Sequence, residues 1–304
     1  MQKRILGIDG GTYHMLKGLY TAYTGMLNEQ HRMDVLTNNL ANATTNGFKK
    51  EGTTSEAFDT VLAYKIKDLS EPGNLPRPLA TNRAIDQNEV NNPLNEDYLE
   101  KRVRKTGLNL GVKIGENYVD YSEGPIKETG NDLDLALSDK GFFAIEYTNK
   151  RDERTTMYTR DGNFTMDSQG FLKTQDGDYV LDDSDRRIRL DPALSVGINR
   201  NGDIVQDGEV VATINVVDFE DYNYLERFGE NLFRTVDGAT RIEKDDMETD
   251  TQVHAGYLEM SNISVVTEMV NMITLQRQYE ANQKVITTYD ETLEQAVNQN
   301  GKVG

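Results

Sequence analysis

Counting from Leu16 in alternating steps of three and four gives Leu16, Leu19, Tyr23, Met26, Gln30, Met33, Thr37 and Leu40, and only Gln30 and Thr37 are polar. That repeat is the seam of a helix packing lengthwise on another helix. Near the other end of the chain a similar stripe runs through Val265, Met272, Leu275, Tyr279, Ile286, Tyr289, Leu293 and Ala296, interrupted by Glu268 and Asn282. Beside it lies a second apolar row, Ile263, Val266, Val270 and Ile273. A helix apolar over so wide an arc needs more than one packing neighbour. Ser261, Asn262 and Ser264 are candidate N-caps for it. The two ends cannot leave these faces in water, so they are expected to pair with each other.

Between the ends the texture changes from helical to alternating. GFFAIEYT, RTTMYTRDGNFTMDSQGFLKTQDGDYVLDD and EVVATINVVDF are short β-branched and aromatic runs. The dipeptides Asp161-Gly162, Gln169-Gly170, Asp176-Gly177, Asn201-Gly202 and Asp207-Gly208 punctuate them, a pattern that predicts hairpins in an antiparallel β domain. The expected fold is therefore α+β, with long N- and C-terminal helices and an inserted, mainly antiparallel β domain. Residues 15–60 form the N-terminal helical assembly segment in this reading, and 61–109 a connector containing EPGNLPRPL. Residues 110–255 form the β domain, and 256–304 the C-terminal helical segment. Residues 1–14 are read as a non-native leader ahead of a start at Met15.

Composition excludes several function classes. The chain has 304 residues, 37% of them hydrophobic, and no run reaches the roughly 18 to 20 apolar residues of a membrane-spanning helix. There is no cysteine, and the three histidines, His14, His31 and His254, are scattered, so neither disulfides nor a thiolate or histidine metal site is expected. The net charge is −18, and residues 201–260 carry fifteen acids against four bases, a local −11 that repels nucleic acid. The basic cluster KRVRK, Lys101 to Lys105, reads as a solvated face.

Signals for chemistry are weak. Asp132 and Asp134 in NDLDLAL would face one side of a strand, where paired carboxylates can do acid–base work, but no histidine, lysine or metal-ligand spacing accompanies them. The acidic stretch around Asp176, Asp178 and Val180 fails the calcium-loop template, because Leu181 stands where glycine is required. ILGIDGGT, Ile5 to Thr12, looks like the strand and phosphate loop that begins actin-like ATPases and sugar kinases, with Asp9 at a strand end, yet no second phosphate loop follows. No cofactor, metal or catalytic residue is expected.

LTNNLANATTNGFKK, Leu36 to Lys50, places Asn38, Asn42 and Asn46 on one helical face, with Asn39 leaning toward the seam. Two readings stand side by side. Buried amides fix register between neighbours, whereas a polar face fraying toward Gly47 would need no partner.

GLYTAYTGMLNEQHRMDVLTNNLANATTNGFKK, Gly18 to Lys50, closely resembles the N-terminal signature of the bacterial flagellar axial family of rod and hook proteins. YLEMSNISVVTEMVNMITLQRQYEANQKVITTYDETL, Tyr257 to Leu293, resembles that family's C-terminal helix, and GNDLDLALSDKGFFAIE with TRDGNFTMDSQGFLKTQDGDYVL resembles its shared β domain. MDVLTNNLANATTNGFK followed by FDTVLAYKI looks most like the distal-rod type, with proximal rod and hook as alternatives.

The resemblance implies terminal helices paired as a coiled coil, a homo-oligomeric helical tube, and neighbouring rod and hook proteins as partners. It also implies unfolded export through the flagellar type III apparatus to the basal body, without membrane insertion. The expected assembly interface is Leu16, Leu19, Tyr23, Met26, Met33, Asn38, Asn39, Leu40, Asn42 and Phe48 at one end, with Ile263, Val266, Val270, Ile273, Tyr279, Ile286, Tyr289 and Leu293 at the other. The ends are expected to take their order from other copies rather than from the chain's own middle. A secreted coiled-coil adhesin and a kinase using Asp9 are the rival classes.

Overall fold

The computed structural model describes residues 10–57, 111–149, 151–244 and 251–300. Ile5 to Asp9, the proline-bearing connector, FDTVLAYKI and the KRVRK cluster lie outside the described residues. In chain order the elements are α1 (Gly10–Ala41), β1 (Glu51–Ala57), β2 (Val112–Val119), β3 (Ile126–Glu128), β4 (Leu135–Ser138), β5 (Phe142–Thr148), β6 (Arg154–Thr159), β7 (Phe164–Met166), β8 (Leu172–Thr174) and β9 (Tyr179–Val180). There follow β10 (Gly197–Ile198), β11 (Asp203–Gln206), β12 (Glu209–Thr213), β13 (Val216–Phe219), β14 (Leu225–Phe228), β15 (Leu232–Thr235), β16 (Arg241–Glu243), β17 (Gln252–Ala255), β18 (Tyr257–Glu259) and α2 (Val265–Asn300). No helix among the described residues is long and apolar enough to cross a membrane.

The chain divides into two compact units. One contains α1 up to Leu36, the strand pair β1 and β2 from Gly52 to Tyr118, and α2 from Met269 onward. Small residues decide how its parts approach. The ring of Tyr289 occupies the space a Cβ on Gly18 would need, and the Asn282 amide lies 3.1 Å from where a Gly25 Cβ would stand. On the strands, Thr54 Oγ1 donates to the Glu116 carbonyl at 3.1 Å and accepts from the Glu116 N–H at 3.0 Å. Ser55 Oγ donates to Asn28 Oδ1 at 2.9 Å.

The side of α1 turned inward differs from the seam read off apolar spacing. Among the described side chains, Ala22, Asn28 and Val35 are its buried positions in this unit, whereas Tyr23 is 48% exposed. The physical reason is the pair of glycines. A hydrophobicity count assigns no weight to Gly18 and Gly25, yet only residues without a side chain admit Tyr289 and Asn282 so closely.

The second unit holds Thr37–Glu51 and Val119–Glu268. Its main sheet runs β14-β15-β6-β5-β9-β8-β7, with β13 pairing both β5 and β16. Every pair with a described register is antiparallel. The run GFFAIEYT is apolar without alternation because β5 is covered on both faces. Phe143 belongs to a cluster with Leu135, Phe164, Leu172, Ile204 and Val253, while Phe142 and Ala144 belong to another with Tyr158, Val217, Phe219 and Phe233. β13 is split the same way, Val216 to the first cluster and Val217 to the second.

Most of the glycine dipeptides are the expected hairpin turns. Asp207 and Gly208 have φ of 52° and 83° between β11 and β12, the two positive angles a type I′ turn demands. Asp161-Gly162 is the exception. It joins β6 to β7, which are separated in the sheet by β5, β9 and β8, and it brings the Gly162 carbonyl to the Leu135 N–H at 3.0 Å. NDLDLAL also departs from the strand reading. Asn131 to Leu133 precede the strand as a turn and β4 starts at Leu135, so Asp132 and Asp134 do not share a strand face.

Three boundaries differ from expectation, the first being Glu51–Ala57, which lies within residues 15–60, the segment read as helical, and is strand β1. The helix of the asparagine block stops at Ala41, so neither Asn42 nor Asn46 lies on a helical face with Asn38. Tyr257–Glu259, assigned to the C-terminal helical segment, is β18, paired antiparallel with β3.

Candidate functional site: a buried ionic junction and exposed helical stripes

The residues NGFKK, Asn46 to Lys50, are where the sequence reading and the geometry meet. Beyond Ala41 the chain needs a sharp turn, and Gly47 makes it at φ 66°, its N–H donating to the Glu259 carbonyl at 2.8 Å. Phe48 is 1% exposed, roofed by the Arg227 guanidinium 3.9 Å from its ring centroid.

Lys49 follows into the interior, where its ammonium donates to Glu259 Oε1 at 2.7 Å and to the Ser122 carbonyl at 2.8 Å. Glu259 is shared. Arg160 Nη1 reaches its other oxygen at 3.2 Å, and the Gly124 N–H donates to Oε1 at 2.9 Å. All three charged side chains are 3% exposed or less. Burial holds the Lys49 ammonium below the ordinary lysine range. The Glu259 carboxylate opposes that shift, and the Arg160 charge adds to it.

Lys50 makes a second connection. Its Nζ lies 2.5 Å from Glu268 Oε1, and its backbone N–H donates to Asn262 Oδ1 at 2.8 Å. The Asn262 amide in turn donates to the carbonyls of Asp120 at 2.9 Å and Ser122 at 3.1 Å. Of the predicted caps, Asn262 is thus spent on this junction. Ser264 stands just ahead of α2, and its carbonyl accepts the Glu268 N–H at 2.9 Å.

The asparagines divide by role. Asn39 is fully buried, and its side-chain amide donates to the Glu51 carbonyl at 2.7 Å while accepting from the Glu51 N–H at 2.9 Å. A carboxamide offers one donor and one acceptor side by side, matching the N–H and C=O that the extended residue Glu51 turns to the same side, which neither Asp nor Leu can do. Asn42 donates to the Asn38 carbonyl at 3.1 Å and closes the helix end locally. Asn39 and Phe48 therefore act inside the subunit. The expectation that the ends take order only from other copies is corrected for residues 37–51, which are held by their own chain.

Other predicted assembly residues remain accessible. Val266, Val270 and Ile273 are 75%, 57% and 52% exposed, whereas Tyr279, Ile286 and Tyr289 are half-buried. Leu19, Met26, Met33, Leu40 and Ile263 are half-buried, Asn38 and Leu293 are exposed, and the side chain of Leu16 lies outside the described residues. The junction roles of Glu259, Arg160, Glu268, Asn262 and Arg227 were missed by sequence reasoning. The available signal was two lysines directly after a buried-type phenylalanine, facing a lone glutamate in the apolar run YLEM.

Next to this junction, Asp161 accepts from the Asn163 N–H at 3.0 Å and the Asn231 amide at 2.9 Å. Burial nevertheless raises its pKa from 3.8 to about 6, against those two hydrogen bonds and with Asp176 and Asp134 adding to the rise. The folded chain then holds this proton across a window, about pH 4 to 6, where the unfolded chain has lost it, so stability falls as pH rises through that window. Asp161→Asn removes the dependence. Its stability relative to the parent should improve by about 2–3 kcal/mol between pH 4 and 7, measured by urea unfolding at both pH values. A pH-independent difference would refute this.

Comparison with known proteins shows the family. Residues 19–49 match the family model of flagella basal body rod proteins. Residues 136–212 match the D1 domain of the flagellar hook protein FlgE/F/G, and 254–299 match the C-terminal region of flagellar basal body rod FlgEFG proteins. The chain is 31% identical to the flagellar basal-body rod protein FlgF of Caulobacter vibrioides over 95% of its own length and 100% of the relative's. It is also 31% identical to FlgG of Bacillus subtilis, over 93% and 99% of the two chains, and 28% identical to the hook-basal body complex protein FlhO of that organism, over 95% and 100%. Three matches in order, together with that identity along nearly the whole length, place the chain in the flagellar basal-body rod family, a family of structural proteins and not of enzymes.

Proposed function

We propose that this chain is a structural subunit of the flagellar basal-body rod, of the distal-rod type, which polymerises helically into a drive-shaft tube. The observation that carries the reading is the row Val266, Met269, Val270 and Ile273, all at least 49% exposed on one side of α2. Tyr20, Tyr23 and Leu27 add exposed apolar surface on α1. Contiguous apolar surface of this kind marks an interaction site, and its burial is worth roughly 25 cal/mol per Å² before ordering costs. Identical head-to-tail contacts that do not close give a helical tube.

Pairing of α1 and α2 as a coiled coil belongs to the same proposal. Tyr289 sits against Gly18 and Asn282 against Gly25, seven residues apart on each helix and in opposite directions, which supports antiparallel packing with a heptad step. Export through the flagellar type III apparatus, placement in the basal body and contact with other rod and hook proteins complete the reading. The distal type rests on the block Met33 to Lys49 and the segment after it.

Replacing Val266, Val270 and Ile273 together by serine tests it. The unfolding midpoint of the monomer should hold, because exposed positions contribute little to it, while motility and rod assembly are lost. A triple variant that swims like its parent would overturn the proposal.

A further inference from the structure

We propose that the C-terminal segment locks the N-terminal block, so that an incomplete chain cannot dock the residues NGFKK. The two sides of the lock come from opposite ends of the sequence. Lys49 and Lys50 stand side by side, and their carboxylate partners Glu259 and Glu268 are 210 and 218 positions away. Gly47 N–H also bonds to the Glu259 carbonyl, and Lys50 N–H to Asn262. Every one of these partners lies in the last 46 residues of the 304.

Electrostatics makes the docking conditional rather than merely favourable. Lys49 and Arg160 share the single carboxylate of Glu259, with all three sealed from water. Without residue 259 the pocket holds two cations and no anion among those three, an arrangement strongly disfavoured in a poorly hydrated interior. Burying Lys49 beside Arg160 then costs more than the burial of Phe48 returns. Glu268 has the same logic on a smaller scale, being fully buried with Lys50 as its ionic partner. A chain missing its end would carry an undocked N-terminal block and would not present residues 37–51 in the geometry of the finished subunit.

Hydrogen exchange on the full-length monomer tests the lock, and this readout does not depend on whether the chain builds a rod. In Glu259→Gln, amides of residues 38–50 should exchange about a hundredfold faster, while β5 and β6 stay protected. Adding Lys49→Met to that variant removes one stranded cation and should recover at least about tenfold of the lost protection. A purely steric role for Glu259 predicts no such recovery. For the second pair, Lys50→Glu and Glu268→Lys should each loosen the block, and the double exchange should restore it. Unchanged exchange at 38–50 in Glu259→Gln, equal loss of protection in β5 and β6, or failure of Lys49→Met to recover protection would each overturn the proposal.

Discussion

Gly47→Ala should destabilise the β unit by more than about 4 kcal/mol and release residues 38–50 to rapid hydrogen exchange. Two independent penalties combine there. The φ of 66° is one that side chains rarely adopt. A Cβ would also collide with the Asp161 nitrogen and stand 2.5 Å from the Arg160 carbonyl carbon, both backbone atoms that cannot swing aside. Arg160 carries the guanidinium that pairs with Glu259, so the collision displaces the ionic junction as well. Denaturant unfolding and residue-resolved exchange measure the two effects, and a variant with parental stability would show that the turn tolerates another conformation.

Asn39→Ala should cost about 2–4 kcal/mol, because it deletes both hydrogen bonds to Glu51 and leaves the backbone N–H and C=O of that residue unmatched at a covered site. Asn38→Ala, at an exposed position, should stay within about 0.5 kcal/mol of the parent. Thermal unfolding of the two variants side by side decides the matter, and equal losses would refute the division of roles. The contrast also decides which positions test the adhesin alternative. Substitution of Asn39 damages the fold under either reading, so only Asn38 and Asn42 discriminate a rod subunit from an adhesin. At those positions a rod subunit should lose assembly while the monomer stays folded.

The architecture was legible wherever one physical period dominated. Helical spacing located both long helices, and glycine dipeptides between β-branched runs located the hairpins from Gln169 to Gly208. Asp161-Gly162 misled because the dipeptide signals a turn, whereas whether the next strand pairs with the previous one depends on sheet order. The face of α1 misled because glycine has no hydrophobicity to count, and what it offers is space. The amides were recognised as unusual, but their partner was not. Asn39 bonds the backbone N–H and C=O of a residue twelve positions on, an interaction indifferent to the identity of the side chain it meets and so invisible in any pattern of residue types. The ionic junction was hidden for a related reason. Its members Lys49, Arg160 and Glu259 come from three distant stretches, and charge at a buried position reads in a linear chain like charge on a surface.

The opposed seven-residue steps that set Tyr289 at Gly18 and Asn282 at Gly25 restrict how a lineage of such proteins can change in length. A single residue inserted into either helix turns everything beyond it by about 100°, carrying a bulky side chain to where a glycine must be. Point replacement, or gain and loss in steps of about seven residues, preserves the fit. Divergence in size should therefore collect in the hairpin tips of the β unit, such as Asp207-Gly208, and leave the two long helices nearly constant.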